Sequence, residues 1–182
     1  MKKINAIDLD KTLIPFDSLN RYLVIFLLKK ECMIPIVLLM IKRFIRLISN
    51  DMFKRSILKL TSKQANYNAI MKKFSTYLLK FINKEVLSIV ENHSDINTIN
   101  ILTTASYKSY SQYIAEYQGW ECLASFYDET TDEFIHNYKL NKIEILIKHY
   151  PSNKYFYNLA ISDSKNDQEL LNLFNTRIVY KK

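Results

Sequence analysis

The sequence predicts an α/β fold, a parallel β-sheet covered by helices, with an all-helical lobe inserted after the first strand. Three observations carry this. From residue 97 onward, short apolar runs alternate with helical stripes, as in a parallel sheet covered on both faces. Residues 17–81 show helical spacing only. Two apolar runs, at 4–7 and 155–161, lead directly into acidic clusters, and ligands of open parallel sheets gather at such strand ends.

In chain order, a strand over 4–7 runs into Asp8 and Asp10. Side chains two apart on extended backbone point the same way, so both carboxylates can face one small volume, with the Thr12 hydroxyl nearby. Like charges at that spacing require a cation, a proton or a lysine. The plainer alternative is an acidic turn that caps the next helix. Asp17 or Ser18 then caps a helix striped by Leu19, Tyr22, Leu23, Phe26 and Leu27. The stretch 22–48 contains two apolar blocks separated by Lys29, Lys30 and Glu31. Neither block is long enough to span a bilayer, and one continuous span would bury those charges. Buried helices of a small lobe are the preferred reading. A basic amphipathic surface resting on a membrane or partner and true insertion are the alternatives.

Helices are expected over 51–60 and over 64–81, the second capped by Thr61 or Ser62, and a short one begins at Asn83. A strand over 99–103 leads to a helix capped by Ser106, which ends at Gly119, the one glycine, in a left-handed terminus. A strand over 120–126 and a polar segment over 127–138 with short strand pieces come next. Asn141 and Glu144 form a capping box for a helix that Pro151 ends. A strand over 155–161, a helix over 167–174 and a strand over 177–180 complete the chain. The division expected is a core of 1–16 plus 82–182 and a cap of 17–81.

The 182 residues carry a formal net charge of +8, which suits anionic partners. The basic residues are dispersed, in pairs such as Lys29–Lys30, Lys42–Arg43 and Lys181–Lys182, so nucleic-acid binding is not indicated. Cys32 and Cys122 lack ligand spacing and read as reduced cysteines of an intracellular protein. The N-terminus does not read as a signal peptide. A cytoplasmic location is expected, with membrane association through 22–48 as the alternative; oligomeric state is not legible.

Four segments bring polar residues to the carboxyl edge of the sheet: Asp8, Asp10 and Thr12; Thr103, Thr104 and Ser106; Lys142; and Asp163, Ser164, Asn166 and Asp167. Asp8, Asp10 and Asp163 are hard oxygen donors suited to Mg²⁺, with no Cys/His set for zinc. Thr104 and Lys142 can donate to phosphate oxygens. One carboxylate is then free to attack while its neighbour exchanges a proton with the leaving group. Each residue also has an ordinary reading: Lys142 as a solvent-facing lysine, Thr104 and Ser106 as helix caps, and Asp167 as the capping-box partner of Ser164. No catalytic or metal role is expected for His93, His136 or His149.

Read together, these segments resemble the four motifs of the haloacid dehalogenase-like (HAD) phosphatases. Asp8-Leu9-Asp10-Lys11-Thr12 is similar to the first, Ile101 to Ser106 to the second, Lys142 to the third, and Ser162 to Asp167 to the fourth. The resemblance implies a Rossmann-like HAD core. The helical insert is similar to the C1-type cap of the phosphoserine phosphatase-like branch, some of whose members act on phosphatidylglycerophosphate. It further implies that Asp8 is the nucleophile forming an aspartyl-phosphate and Asp10 the general acid/base. Thr104 and Lys142 would hold the phosphoryl group, with Thr12 and Ser106 beside them. Asp8, Asp10, Asp163 and Asp167 would serve the Mg²⁺ site, Asp10 through its carbonyl and Asp167 indirectly. Ser162 replaces the usual glycine of the fourth motif, and Ala105 and Ser106 replace those of the second.

The function expected is a Mg²⁺-dependent phosphomonoester hydrolase acting on a small anionic ester of sugar, amino-acid or glycerol phosphate type. The alternatives are a lipid-phosphate phosphatase at a membrane surface and a catalytically weak binding or regulatory protein.

Overall fold

A computed structural model describes residues 1–180; the basic pair at 181–182 lies outside them. Strand β1 (Lys2–Ile7) is followed by four helices, α1 (Ser18–Leu27), α2 (Lys30–Phe44), α3 (Asn50–Thr61) and α4 (Tyr67–Leu79). The remainder alternates: α5 (Lys84–Asn92), β2 (Thr98–Tyr107), α6 (Lys108–Gln118), β3 (Glu121–Asp128), β4 (Glu133–Ile135), α7 (Leu140–His149), β5 (Tyr155–Ser162), α8 (Gln168–Asn172) and β6 (Thr176–Val179). The α/β class and the helical insertion after the first strand are as the sequence predicts.

The sheet order is β4-β3-β2-β1-β5-β6. Every pairing is parallel except β3 with β4. Strand β1 therefore lies between β2 and β5, where successive strands change from one side of it to the other. A crevice opens at the carboxyl ends on either side of such a switch point. Ile4, Ala6 and Ile7 are buried, as expected for a central strand with both faces covered.

The inserted helices share the core of the sheet. Tyr22 and Phe26 of α1 and Met71, Phe74 and Leu78 of α4 lie in one apolar cluster with Leu102, Tyr107, Tyr110 and Ile114. Phe74 meets the Tyr110 ring edge-on at 5.0 Å, and the Ser75 hydroxyl donates to the Tyr110 carbonyl at 2.8 Å. Helix α2 is different. It is apolar over most of its surface, yet only Cys32 and Ile36 are buried.

Three expected caps are corrected. Helix α4 begins at Tyr67, after Asn66 in the left-handed region (φ 60°), and the Thr61 hydroxyl folds back to the Ile57 carbonyl at 2.8 Å. Ser106 caps nothing, because β2 continues past an irregularity to pair Tyr107 with Ser125, and α6 starts at Lys108 without a side-chain cap. Asn141 is inside α7, whose preceding residue Lys139 has φ 53° and no cap bond; the Asn141 amide donates to the His136 carbonyl instead. Gly119 has φ 69°, the left-handed terminus that the sequence predicts.

A shared core predicts shared melting. Phe74→Ala should destabilise the protein by about 3–5 kcal/mol, the range for deleting a buried aromatic ring, and the transition should remain single when followed by far-UV and tyrosine signals. A separate, earlier transition for the helices would contradict the shared core.

Candidate active site

The crevice beside the end of β1 holds about 210 Å³ and is lined by Asp8, Asp10, Thr104, Lys142, Asp163 and Asp167, among others. Its centre is a buried cation. Lys142, on the first turn of α7 and 2% exposed, donates to Asp8 Oδ1 at 2.9 Å and to Asp167 Oδ2 at 2.8 Å. Burial alone would lower the Lys142 pKa, but the two carboxylates outweigh it and hold the ammonium above its ordinary value. Burial pushes the Asp8 carboxyl up to about 7, against the downward pull of Lys142. Asp8 Oδ2 has no protein donor among the described residues.

Asp10 faces a different environment. Its Oδ1 accepts the Ser18 amide at 2.7 Å and its Oδ2 the Ser106 hydroxyl at 2.6 Å. The Ser18 hydroxyl lies 2.8 Å from both Ser106 Oγ and the Tyr110 hydroxyl, which extends a buried chain of hydroxyls to α6. Burial raises the Asp10 pKa, and the Ser106 and Ser18 bonds pull it partly back. A carboxyl with these opposing influences can carry a proton and also give it up.

Asp163 lies at the end of β5, where its amide donates to Thr12 Oγ1 at 2.9 Å. Burial raises its pKa, and its carboxylate forms no ion pair among the described residues. Asp167 is buried; besides Lys142, it accepts the Ser162 hydroxyl at 2.7 Å. Ser162 also accepts the Ser164 amide at 3.1 Å, so the residue in the usual glycine position ties the loop together. Ser164 caps the short 3-10 turn through the Asn166 amide, and Asp167 takes no part in that cap.

Several expected site residues thus have other contacts. Thr12 orders the Asp163 backbone and Ser106 holds Asp10; neither lines the crevice. Asp10 and Asp167 engage their carboxylates in the contacts above, which leaves the Asp10 carbonyl and the link of Asp167 through Lys142 as the parts expected of them; no group of three His, Cys, Asp or Glu side chains is arranged to hold a metal among the described residues. What remains is Asp8 with Asp163, two hard carboxylates facing one crevice. Such a pair fits Mg²⁺, which commonly takes one or two protein carboxylates and completes its shell with water and phosphate oxygens. Thr104 lines the crevice, and its Oγ1 accepts the Ser106 amide at 3.1 Å.

Other contributors are not legible in the sequence. Asn137, fully buried, donates through its amide to the carbonyls of Thr104 and Leu123 at 3.1 and 2.7 Å, fixing the end of β2. Lys54 of α3 reaches the crevice and bonds the Ala105 carbonyl at 3.0 Å and His136 Nε2 at 3.2 Å. His136 Nδ1 lies 2.7 Å from Asp51. Donation from Nδ1 to that carboxylate leaves Nε2 as the acceptor for Lys54. His136 itself does not line the crevice; it supports Lys54. Lys54 sits on the polar side of an amphipathic helix, where nothing distinguishes it from its neighbours.

No family model matches the chain, and no curated protein matches it. Solved structures do. A Bordetella pertussis Tohama I protein of unknown function aligns with TM-score 0.77 at 18% identity, over 97% of this chain and 89% of that one. A HAD family hydrolase from Salmonella enterica serovar Typhi aligns with TM-score 0.67 at 10% identity, over 98% and 67%. A phosphoserine phosphohydrolase-like protein from Francisella tularensis aligns with TM-score 0.58 at 17% identity, over 98% and 95%. These likenesses show a shared fold, a Rossmann-like HAD architecture with an inserted helical cap.

The burial of the Asp8 carboxyl predicts a pH dependence. In metal-free protein the native state keeps the Asp8 proton up to about 7, against an ordinary carboxyl value of 3.8. The unfolded chain loses it earlier, so the native state binds more protons in that window and stability falls as pH rises from about 4 to about 7. The difference in unfolding midpoint between wild type and Asp8→Asn, which cannot titrate, isolates this slope. Saturating Mg²⁺ should flatten it by binding the ionised form. A pH-independent difference in metal-free protein would refute the raised Asp8 value.

Proposed function

We propose that this protein is a Mg²⁺-dependent phosphomonoester hydrolase acting through an aspartyl-phosphate on Asp8. The observation that carries the reading is the Asp8 carboxylate, held at one oxygen by Lys142 with the other unbonded, in a crevice that also contains a second acid with its own hydrogen-bond set. Mg²⁺, when bound by Asp8 and Asp163, would neutralise carboxylate and phosphate charge. Asp8 Oδ2 attacks phosphorus as the bond to the ester oxygen breaks, and Asp10 gives that oxygen its proton. Water then attacks the phosphorus of the aspartyl-phosphate while Asp10 takes back a proton, releasing inorganic phosphate and free Asp8. Thr104 and Lys142 stabilise charge on the remaining phosphate oxygens.

The small crevice supports a small anionic ester as substrate, of sugar, amino-acid or glycerol phosphate type. Residues 17–81 act as the cap, from which Lys54 approaches the part of the substrate beyond the phosphate. A cytoplasmic location accompanies this reading. A second reading, a lipid-phosphate phosphatase of the phosphatidylglycerophosphatase type, is favoured by the apolar surface of α2, much of which faces solvent.

Two measurements test the chemistry. Release of inorganic phosphate from an aryl phosphate should stop with chelator and return with Mg²⁺. Asp8→Asn should lose at least about 10²-fold in turnover while remaining folded, the scale expected for removing a participating group. Full activity in that variant would end the covalent mechanism.

Asp10→Asn should impair alkyl and sugar phosphates more than aryl phosphates, because an aryl leaving group needs little proton help. Equal losses across both would leave Asp10 a structural residue.

A further inference from the structure

The outer surface of the cap presents apolar side chains that nothing among the described residues covers. Helix α2 turns only Cys32 and Ile36 inward. Ile34, Leu38, Ile41 and Phe44 on the helix, and Ile45 and Leu47 just beyond it, are exposed, Phe44 at 87% and Leu47 at 69%. Between α2 and its neighbours runs an apolar groove of about 650 Å³, walled by Leu23, Leu27, Val37, Met40, Phe44 and Phe53. Single exposed apolar residues are ordinary, but a contiguous patch of this kind marks a contact surface.

Charge selects what covers it. Residues 21–48 contain Arg21, Lys29, Lys30, Lys42, Arg43 and Arg46, against Glu31 alone. Lys30 and Lys42 on α2 and Arg46 just beyond it are exposed, and Arg43 lines the groove itself. A second copy of this chain seated face to face would bring two cationic rims together. An anionic bilayer presents the opposite charge around an apolar interior, and each Lys or Arg near such a surface contributes about 1 kcal/mol, roughly fivefold in affinity. No helix among the described residues is long and apolar enough to cross a membrane, which leaves binding in the plane of the interface.

We propose that the exposed face of α2, with its continuation through Leu47, docks this protein on anionic lipid bilayers, the apolar side chains entering the headgroup boundary and the basic rim meeting lipid phosphates. This goes beyond the phosphatase reading and does not depend on it. Asp17 and Lys54 line the crevice while Leu19 and Phe53 line the groove, so α1 and α3 stand between docking face and chemistry. Docking therefore holds the enzyme at a membrane whether its substrate is soluble or lipidic.

Flotation with vesicles tests this without using catalysis, and aggregated protein does not float. Wild type should float with vesicles of phosphatidylcholine containing about one-third phosphatidylglycerol, and at least about tenfold less with phosphatidylcholine alone. The double variant Ile34→Asp/Phe44→Asp should lose at least about tenfold in binding. Lys42→Glu/Arg46→Glu should lose a similar factor at low salt and less at high salt. Circular dichroism establishes that each variant is folded, and the two pairs test the apolar and charged contributions separately. Protein that floats with neither vesicle, or equally with both, overturns the proposal. So does a concentration-dependent dimer, seen by sedimentation velocity and dissociated by Phe44→Asp, in protein that does not float; the occupant would then be a second copy.

Discussion

The buried Lys142 ammonium between Asp8 and Asp167 is the interaction on which the rest of the site depends. It joins three segments far apart in the chain: the end of β1, the start of α7 and the turn after β5. Removing an ammonium from water costs several kcal/mol, and only close, well-hydrogen-bonded carboxylates offset that. Losing either partner would leave a buried charge unmatched, so the pair fixes the approach of α7 to the sheet as much as it prepares Asp8 for attack. Ser162 belongs to the same arrangement. A glycine there could not donate to Asp167, and this chain uses the hydroxyl to hold the second carboxylate toward the lysine.

A second constraint acts on the cap. The first turn of α1 supplies the Ser18 amide and hydroxyl to the Asp10 network, and Tyr110 of α6 closes that network from the sheet side. Buried aromatic contacts among Tyr22, Phe74 and Tyr110 surround it. Helices α1 and α4 are thus fixed to the core. Helix α3 is fixed there too: it buries Phe53, Ile57 and Leu58 in the same cluster, and the Tyr107 hydroxyl donates to the Lys54 carbonyl at 2.8 Å, while Arg55 and Lys59 add largely exposed pairs to Asp132. Ion pairs of this kind contribute about 1 kcal/mol or less. The buried contacts of α3, more than these pairs, therefore hold Lys54 at the crevice.

The cap combines two surfaces with opposite demands. Toward the crevice it is polar and hydrogen-bonded to the core. Away from it, α2 carries aliphatic and aromatic side chains on nearly every face. Buried helices are the preferred reading of 22–48 from sequence, and this holds for α1, where Tyr22, Leu23 and Phe26 are buried. It fails for α2, because one layer of neighbours, α1 and α3, can cover only one side of a helix that is apolar almost all round.

Period and local chemistry determined much of this protein in advance. Apolar runs in the right order define the central strands, and the i, i+2 spacing at Asp8 and Asp10 aims two acids off one strand end. Lys142 and the 163–167 cluster stand out because each follows a segment boundary at the sheet edge. Tertiary structure alone decided which of the acids lining the crevice are engaged by neighbouring side chains and which keep a carboxylate oxygen open to it. Ser106 has a capping residue's position in sequence but bonds Asp10, 96 positions away. His136 has no local pattern and acquires its role from Asp51 and Lys54, 85 and 82 positions away. Local propensity reports only on neighbours within a helical turn or along a strand. A buried hydroxyl, amide or imidazole takes whatever partner the packing brings within about 3 Å, and that partner is fixed only once the chain has folded.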